Sequence, residues 1–296
     1  MSYTSFADLL AAARRHGSLS RAAIDLECEE TGADAAGVVA RLSEALSVME
    51  EAIERGLRDE LRSRSGLVGG SGRALAGARP HLTDDAFVGA LARALAGAEV
   101  NACMGRVVAA PTGGASGVLP AVLITAAERL GAPRESVVAA LATAGAVGGV
   151  IAARATLSGA AGGCQAETGA AAAMAAAATV ELAGGTPEQS GHAAAFALQG
   201  LLGLVCDPVG GLVEVPCVAR NATAVAVSLA AVEMALGGLE FPIPLDEVID
   251  AMGQVGRSLP PSLRETALGG LAAAPTARSL ASRLESGYRP ERDEGE

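Results

Sequence analysis

The chain has 296 residues, half of them hydrophobic, with 38 Gly, 2% aromatics and no Trp, which is enough for one large domain or two small ones. Its 22 basic residues are all Arg, which excludes a Schiff-base lysine on pyridoxal phosphate or a carbonyl, and a P-loop lysine on a nucleotide. A net charge of −11 argues against nucleic acid or an anionic membrane surface as a partner, since both select basic faces.

The start, MSYTSFADLLAAARRHG, is polar and has no basic segment leading into an apolar one. No secretory signal is read there, and the chain is expected in the cytoplasm. Residues 1–62 are predicted as a helical cap. Ser5 to Arg14 and Ser18 to Glu30 form two amphipathic helices, with Ser18 and Ser20 as candidate N-caps. In Ala35 to Arg55, Val38, Val39, Leu42, Ala45, Leu46, Met49 and Ile53 recur at helical spacing. Residues 63–85 are rich in Gly, Ser and Pro and read as a loop. Thr83, Asp84 and Asp85 then cap a helix running to about Val100.

From Asn101 to about Leu236, Gly-bearing turns alternate with Ala-rich helices. Leu204–Val205 and Leu212–Val215 are the only short strand candidates. Val137 to Ala153 is uncharged over 17 residues, but it is mostly Ala and Gly and shorter than the roughly 20 apolar residues a membrane span needs. It is predicted as a buried, closely packed helix. A further helix follows FPIPLDEVIDAMG, its start fixed by the prolines and Asp246. The expectation is an all-α fold, with one helical catalytic domain over 86–285 and a flexible tail over 286–296.

Five cysteines in a cytoplasmic chain read as ligands, catalytic groups or core residues rather than disulfides. Cys28 lies in a charged helix and reads as a free surface thiol. Cys164, Cys206 and Cys217 each sit beside Gly or Pro, at a turn or helix end, where free N–H groups favour a thiolate. Three such thiolates can hold zinc or an iron–sulfur cluster, and without a CxxC the spacing does not choose between them. On a [4Fe–4S] cluster, three thiolates leave one iron open as a Lewis acid able to help a hydroxyl leave. That suits dehydration of an amino acid without pyridoxal phosphate.

Four strings carry a resemblance: NACMGRVVAAPTGGASGVLPAVL (101–123), GCQAETGAAAAMAAA (163–177), LGLVCDPVGGLVEVPCVARNA (202–222) and SLPPSLRETALGGLA (258–272). In this order they resemble the α chain of the iron–sulfur-dependent L-serine dehydratases, and residues 1–60 resemble that family's helical N-terminal part. The resemblance implies an all-helical catalytic domain, a [4Fe–4S] cluster on Cys164, Cys206 and Cys217, and conversion of L-serine to pyruvate and ammonia. Single-chain relatives carry a regulatory domain ahead of the catalytic one, so a separate β chain in a hetero-oligomer is expected. Some relatives end in a Cys that occupies the open iron, whereas this sequence ends Asp-Glu-Gly-Glu. Cys103 stands where relatives carry a small residue, either silently or as a fourth thiol, and Ala219 stands where they are often charged.

Thr112, Gly113, Gly114 and Ser116 lie in a Gly-rich loop that enters a helix, a geometry that offers free N–H groups to an anion. The loop has neither Lys nor Walker spacing, so it reads as a plain turn or, with the resemblance, as the seat of a substrate carboxylate. Asn101 and Arg106 flank it and can orient it. Glu167, three residues after Cys164, reads as an ammonium or water ligand or as an ordinary first-turn cap, and Asp207 has the same two readings. Arg220 can clamp a carboxylate, with Asn221 beside it. Of the histidines, His192 is a conceivable base that reads equally as a cap or packing residue, and the base can also come from the β chain. Two rival functions remain: a lyase acting on L-cysteine or another β-substituted amino acid, and a cluster-bearing sensor or structural protein without turnover.

Overall fold

The computed structural model describes residues 3–286. Residues 287–296, the greater part of the predicted tail, lie outside that range. The described chain is all helical: α1 (Phe6–His16), α2 (Leu19–Thr31), α3 (Ala35–Arg58), α4 (Ser71–Ala76), α5 (Asp85–Ala102), α6 (Val118–Leu130), α7 (Arg134–Arg154), α8 (Gly159–Gly162), α9 (Ala170–Leu182), α10 (Pro187–Gly200), α11 (Cys217–Leu236), α12 (Leu245–Ser258) and α13 (Pro275–Glu285).

Local signals in the sequence set most helix ends. Ser5, Ser18, Asp34 and Asp84 each accept the N–H three residues on, and Gly17 closes α1 in the left-handed region at φ +94°. Ser20, read as a possible cap, lies inside α2 and bonds Ser18 at 2.9 Å.

The centre of the protein is α9, in which Ala170 through Val180 are all buried. It packs against α7, α10, α6 and α11. Small side chains on every face let four helices approach it, so a core poor in aromatics still reaches close packing. The same device recurs on α5. A Cβ on Gly56, Gly72 or Gly117 would overlap the backbone of Ala96, of Ala92 and Ala96, or of Ala94 respectively. Helices α3 and α4 and the turn before α6 therefore meet α5 backbone to backbone.

Helices α7 and α11 are long and apolar enough to cross a membrane, but α7 packs on α9 and α2, and α11 on α5 and α10. The expected loop over 63–85 contains α4. Its first N–H groups, those of Ser71 and Gly72, donate to the fully buried Glu99 carboxylate at 2.7 and 3.2 Å, so a distant residue, not a local cap, starts this helix. Neither strand candidate forms a strand among the described residues; residue 206 makes an isolated parallel bridge with Arg264.

Asp246 has a different role from the one its position suggested. Pro244 caps α12, and the Asp246 carboxylate accepts Phe6 and Ala7 N–H at 2.7 and 3.1 Å, capping α1 across the molecule. Asp246→Ala is therefore expected to cost about 1–2 kcal/mol. Amide exchange should accelerate first at the start of α1, and an equal rise across α12 would contradict the cross-cap.

Candidate functional site

Three loops and two helix starts converge at one end of α9 and α11. Cys164 opens a π-helical turn, Gln165–Gly169, that leads into α9. Such turns insert an extra residue and re-aim side chains, often at functional sites. The turn is fixed by buried Gln165, whose amide donates to the carbonyls of Gly162 (2.8 Å) and Met252 (3.1 Å) and accepts from Gly203 N–H (2.9 Å). Cys206 lies in the connection after α10. Its N–H donates to Leu263 O at 2.9 Å, and its carbonyl accepts from Glu265 N–H at 2.7 Å. Cys217 is the first residue of α11.

The thiols are neighbours. Burial pushes them upward, aided at Cys206 by the charges of Glu167 and then Cys164 and at Cys217 by those of Cys164 and then Glu167, taking Cys217 to about 12 and Cys206 further still. Burial likewise raises Cys164, which sits 2.9 Å from Thr168 Oγ1. With no cation present the three stay protonated, and a bound metal would deprotonate them and remove their mutual repulsion. Yet among the described residues no three Cys, His, Asp or Glu side chains are gathered tightly enough to hold a single metal ion.

The Gly-rich loop faces the thiols across Glu167. The Glu167 carboxyl lies 3.9 Å from Cys206 Sγ. Burial raises its pKa, and the adjacent Thr112 hydroxyl partly offsets that. A Cβ on Gly114 would stand 3.7 Å from the same carboxyl, and one on Gly159 would overlap it. Two buried side-chain polar atoms on these segments have no hydrogen bond or ion pair among the described residues, Ser116 Oγ and Arg264 Nε, whereas Thr112 is engaged with Glu167 and Asp207 Oδ1 with Arg220. Buried polar atoms ordinarily find partners, so these two mark a place where a polar ligand can be received.

Other expected residues act on this frame. Asn221 is fully buried. Its Oδ1 accepts Gly117 N–H at 3.0 Å, and its Nδ2 donates to Gly114 O at 2.7 Å and Cys217 O at 2.9 Å. It locks the loop to the start of α11. Arg220 donates to Val205 O at 2.8 Å and lies 2.8 Å from Asp207 Oδ1, while Asp207 Oδ2 accepts Leu271 N–H at 2.6 Å. This pair ties the Cys206 connection to α11, and the Arg220 charge lowers Cys164 and Cys217 against the effect of burial.

Asn101 Oδ1 would lie 3.1 Å from a Cβ on Gly113, so it underlies the loop. Arg106 is not drawn in: its side chain is 70% exposed and faces Glu44 of α3 at 3.5 Å. His192, in the first half of α10, accepts Phe241 N–H at 3.2 Å. Cys103 senses Glu99, Glu214 and Arg55 rather than the three thiols.

Sequence reasoning passed over Thr168, Glu214 and Glu265. Thr168 is one helical turn from Cys164, a signal that was available. Glu214 buries its carboxylate against the hydroxyls of Ser63 and Ser65, a pairing across some 150 residues with no local trace.

Residues 14–272 match the family described as serine dehydratase alpha chain. The chain is 48% identical over 279 residues to a probable L-serine dehydratase, alpha chain, of Bacillus subtilis, covering 91% of this chain and 90% of that one. It is 48% identical over 199 residues to the L-serine dehydratase, alpha chain, of Peptoniphilus asaccharolyticus, covering 67% and 68%. Against the L-serine dehydratase of Streptomyces coelicolor it is 40% identical over 276 residues, which is 90% of this chain and 59% of that longer one.

Proposed function

The chain belongs to the serine dehydratase alpha-chain family, and from that premise we propose that it is the catalytic α chain of an L-serine ammonia-lyase carrying a [4Fe–4S] cluster. Cys164, Cys206 and Cys217 would hold the cluster. When bound, it supplies a Lewis-acidic iron that helps the β-hydroxyl leave. The observation that carries the reading is three neighbouring thiols, two buried and one half-buried, facing a loop with the unpartnered Ser116 hydroxyl.

The chain's own groups position the substrate. The N–H groups of Gly113 and Gly114, ahead of α6, and the hydroxyls of Thr112 and Ser116 receive the carboxylate. Glu167 holds a polar group of the substrate, or a water, beside the thiols. Loss of the Cα proton and the β-hydroxyl gives 2-aminoacrylate and water. Aminoacrylate tautomerises to the imine, and water then hydrolyses the imine to pyruvate and ammonia. The general base is assigned to a β chain that completes the site. Two facts support such a chain: the relatives matched over nearly their full length are named alpha chains, and the Streptomyces relative extends well beyond the matched part. A reducing cytoplasmic setting keeps the thiols available as ligands.

Turnover of a panel containing L-serine, L-cysteine and L-threonine by the anaerobically prepared complex tests the reading. Preference for L-serine supports it, and preference for L-cysteine would replace it with a thiol-eliminating lyase. Ser116→Ala offers a sharper check. Its Oγ is buried without a partner, so its loss should leave the melting temperature unchanged or higher. KM for L-serine should rise about tenfold. A destabilised variant with unchanged KM would make Ser116 a structural residue.

A further inference from the structure

The reading above leaves the fourth motif, 258–272, without a task, yet the backbone lays it along Cys206. Leu263 O and Glu265 N–H bracket Cys206 in a parallel bridge. Glu265 itself sits at φ +61°, and Ala267 at φ +57°. This left-handed region costs a residue with a Cβ roughly 1 kcal/mol or more, and such strain tends to collect where a side chain must be aimed. Three long-range bonds hold the segment there: Cys206 N–H to Leu263 O, Glu265 N–H to Cys206 O and Leu271 N–H to Asp207 Oδ2.

Glu265 is exposed, on the segment whose backbone is bridged to Cys206. Among the described residues its carboxylate makes no ion pair, not even with adjacent Arg264. Its backbone is bonded to the Cys206 connection, Arg220 on the α11 side is held by Asp207, and Arg264 lies beside it with a buried, unpartnered Nε. A zwitterion with its carboxylate on the Gly-rich loop and its hydroxyl toward the thiols still has an ammonium to place.

We propose that Glu265 binds the α-ammonium of the substrate and so selects amino acids over hydroxy acids of the same shape. This rests on the serine-lyase reading. L-Glycerate is the probe, because it keeps the carboxylate and β-hydroxyl of L-serine and replaces the ammonium with a hydroxyl.

Two variants separate the carboxylate from the backbone. Glu265→Gln keeps shape and removes charge. Glu265→Gly removes the side chain and relaxes the left-handed backbone. Calorimetric titration of the anaerobic holoenzyme with each ligand, beside steady-state turnover, reads both. Both variants should weaken L-serine at least about tenfold, leave L-glycerate as tight or tighter, and raise KM more than they lower kcat. Equal weakening of both ligands would overturn the proposal. So would intact L-serine binding with only kcat reduced, which would make Glu265 a proton-transfer group. A wild-type enzyme without L-serine turnover would remove the underlying reading, whereas normal wild-type turnover with unaffected variants would remove this inference alone.

Discussion

Cys206→Ser is expected to strip iron and acid-labile sulfide from the anaerobically purified protein and to lower L-serine turnover about a thousandfold or more, with helix content unchanged. Cys206 is bracketed by Leu263 and Glu265 through its own backbone, so the substitution leaves the connection in place and removes only the sulfur. A serine hydroxyl is a poor replacement for a thiolate on iron. No other thiol can stand in: Cys103 answers to a different set of charges, and Cys28 lies in α2 of the N-terminal cap. A thousandfold loss corresponds to about 4 kcal/mol of transition-state stabilisation. Cys103→Ser is the matched control and should retain full iron. Retention of iron and sulfide in Cys206→Ser would mean that the three thiols are not the ligands.

Asn221→Ala should give the second-largest effect, and on stability as well as function. The side chain satisfies three backbone groups, Gly117 N–H and the carbonyls of Gly114 and Cys217, with none of its surface exposed. Removing it strands buried polar groups at about 1–3 kcal/mol each, and water has little room to replace it. A total near 3–5 kcal/mol is expected, lowering the melting temperature by about 5–8 °C in a chain of this size. Because the bonds join the Gly-rich loop to the start of α11, KM should rise along with the loss of stability. Asn221→Asp should be no better, since it keeps the acceptor for Gly117 but turns an oxygen toward two carbonyls. Thermal unfolding of the two variants checks this, and a loss below 1 kcal/mol in either would contradict the clamp.

Local chemistry made much of the fold legible. Helix caps at Ser5, Ser18, Asp34 and Asp84 are read from neighbours three residues apart. The Ala-rich run became the buried α9 because small side chains on all faces suit only a central helix. Where partners were distant, the sequence was silent. Nothing near Ser71 announces that Glu99 will nucleate α4, and nothing near Asp246 announces that it caps α1.

The site divides in the same way. Cys164, Cys206 and Cys217 were visible because each sits in a Gly- or Pro-bearing turn, and the structure makes them neighbours. Arg106 looked equivalent to Asn101 by position, yet only Asn101 underlies the loop while Arg106 turns to Glu44. Arg220 read as a clamp for a substrate carboxylate, and the structure shows it tied to Asp207 and Val205. Glu265 was hidden for a further reason: its role depends on a left-handed backbone and a bridge to residue 206, neither of which leaves a local pattern.

The most direct test of the central claim is pyruvate release from L-serine by this chain, produced with its β partner and purified without oxygen. The account predicts steady pyruvate formation that scales with iron and sulfide content and disappears on exposure to air. Iron-loaded complex that forms no pyruvate, or turnover that persists after iron is removed, would contradict it.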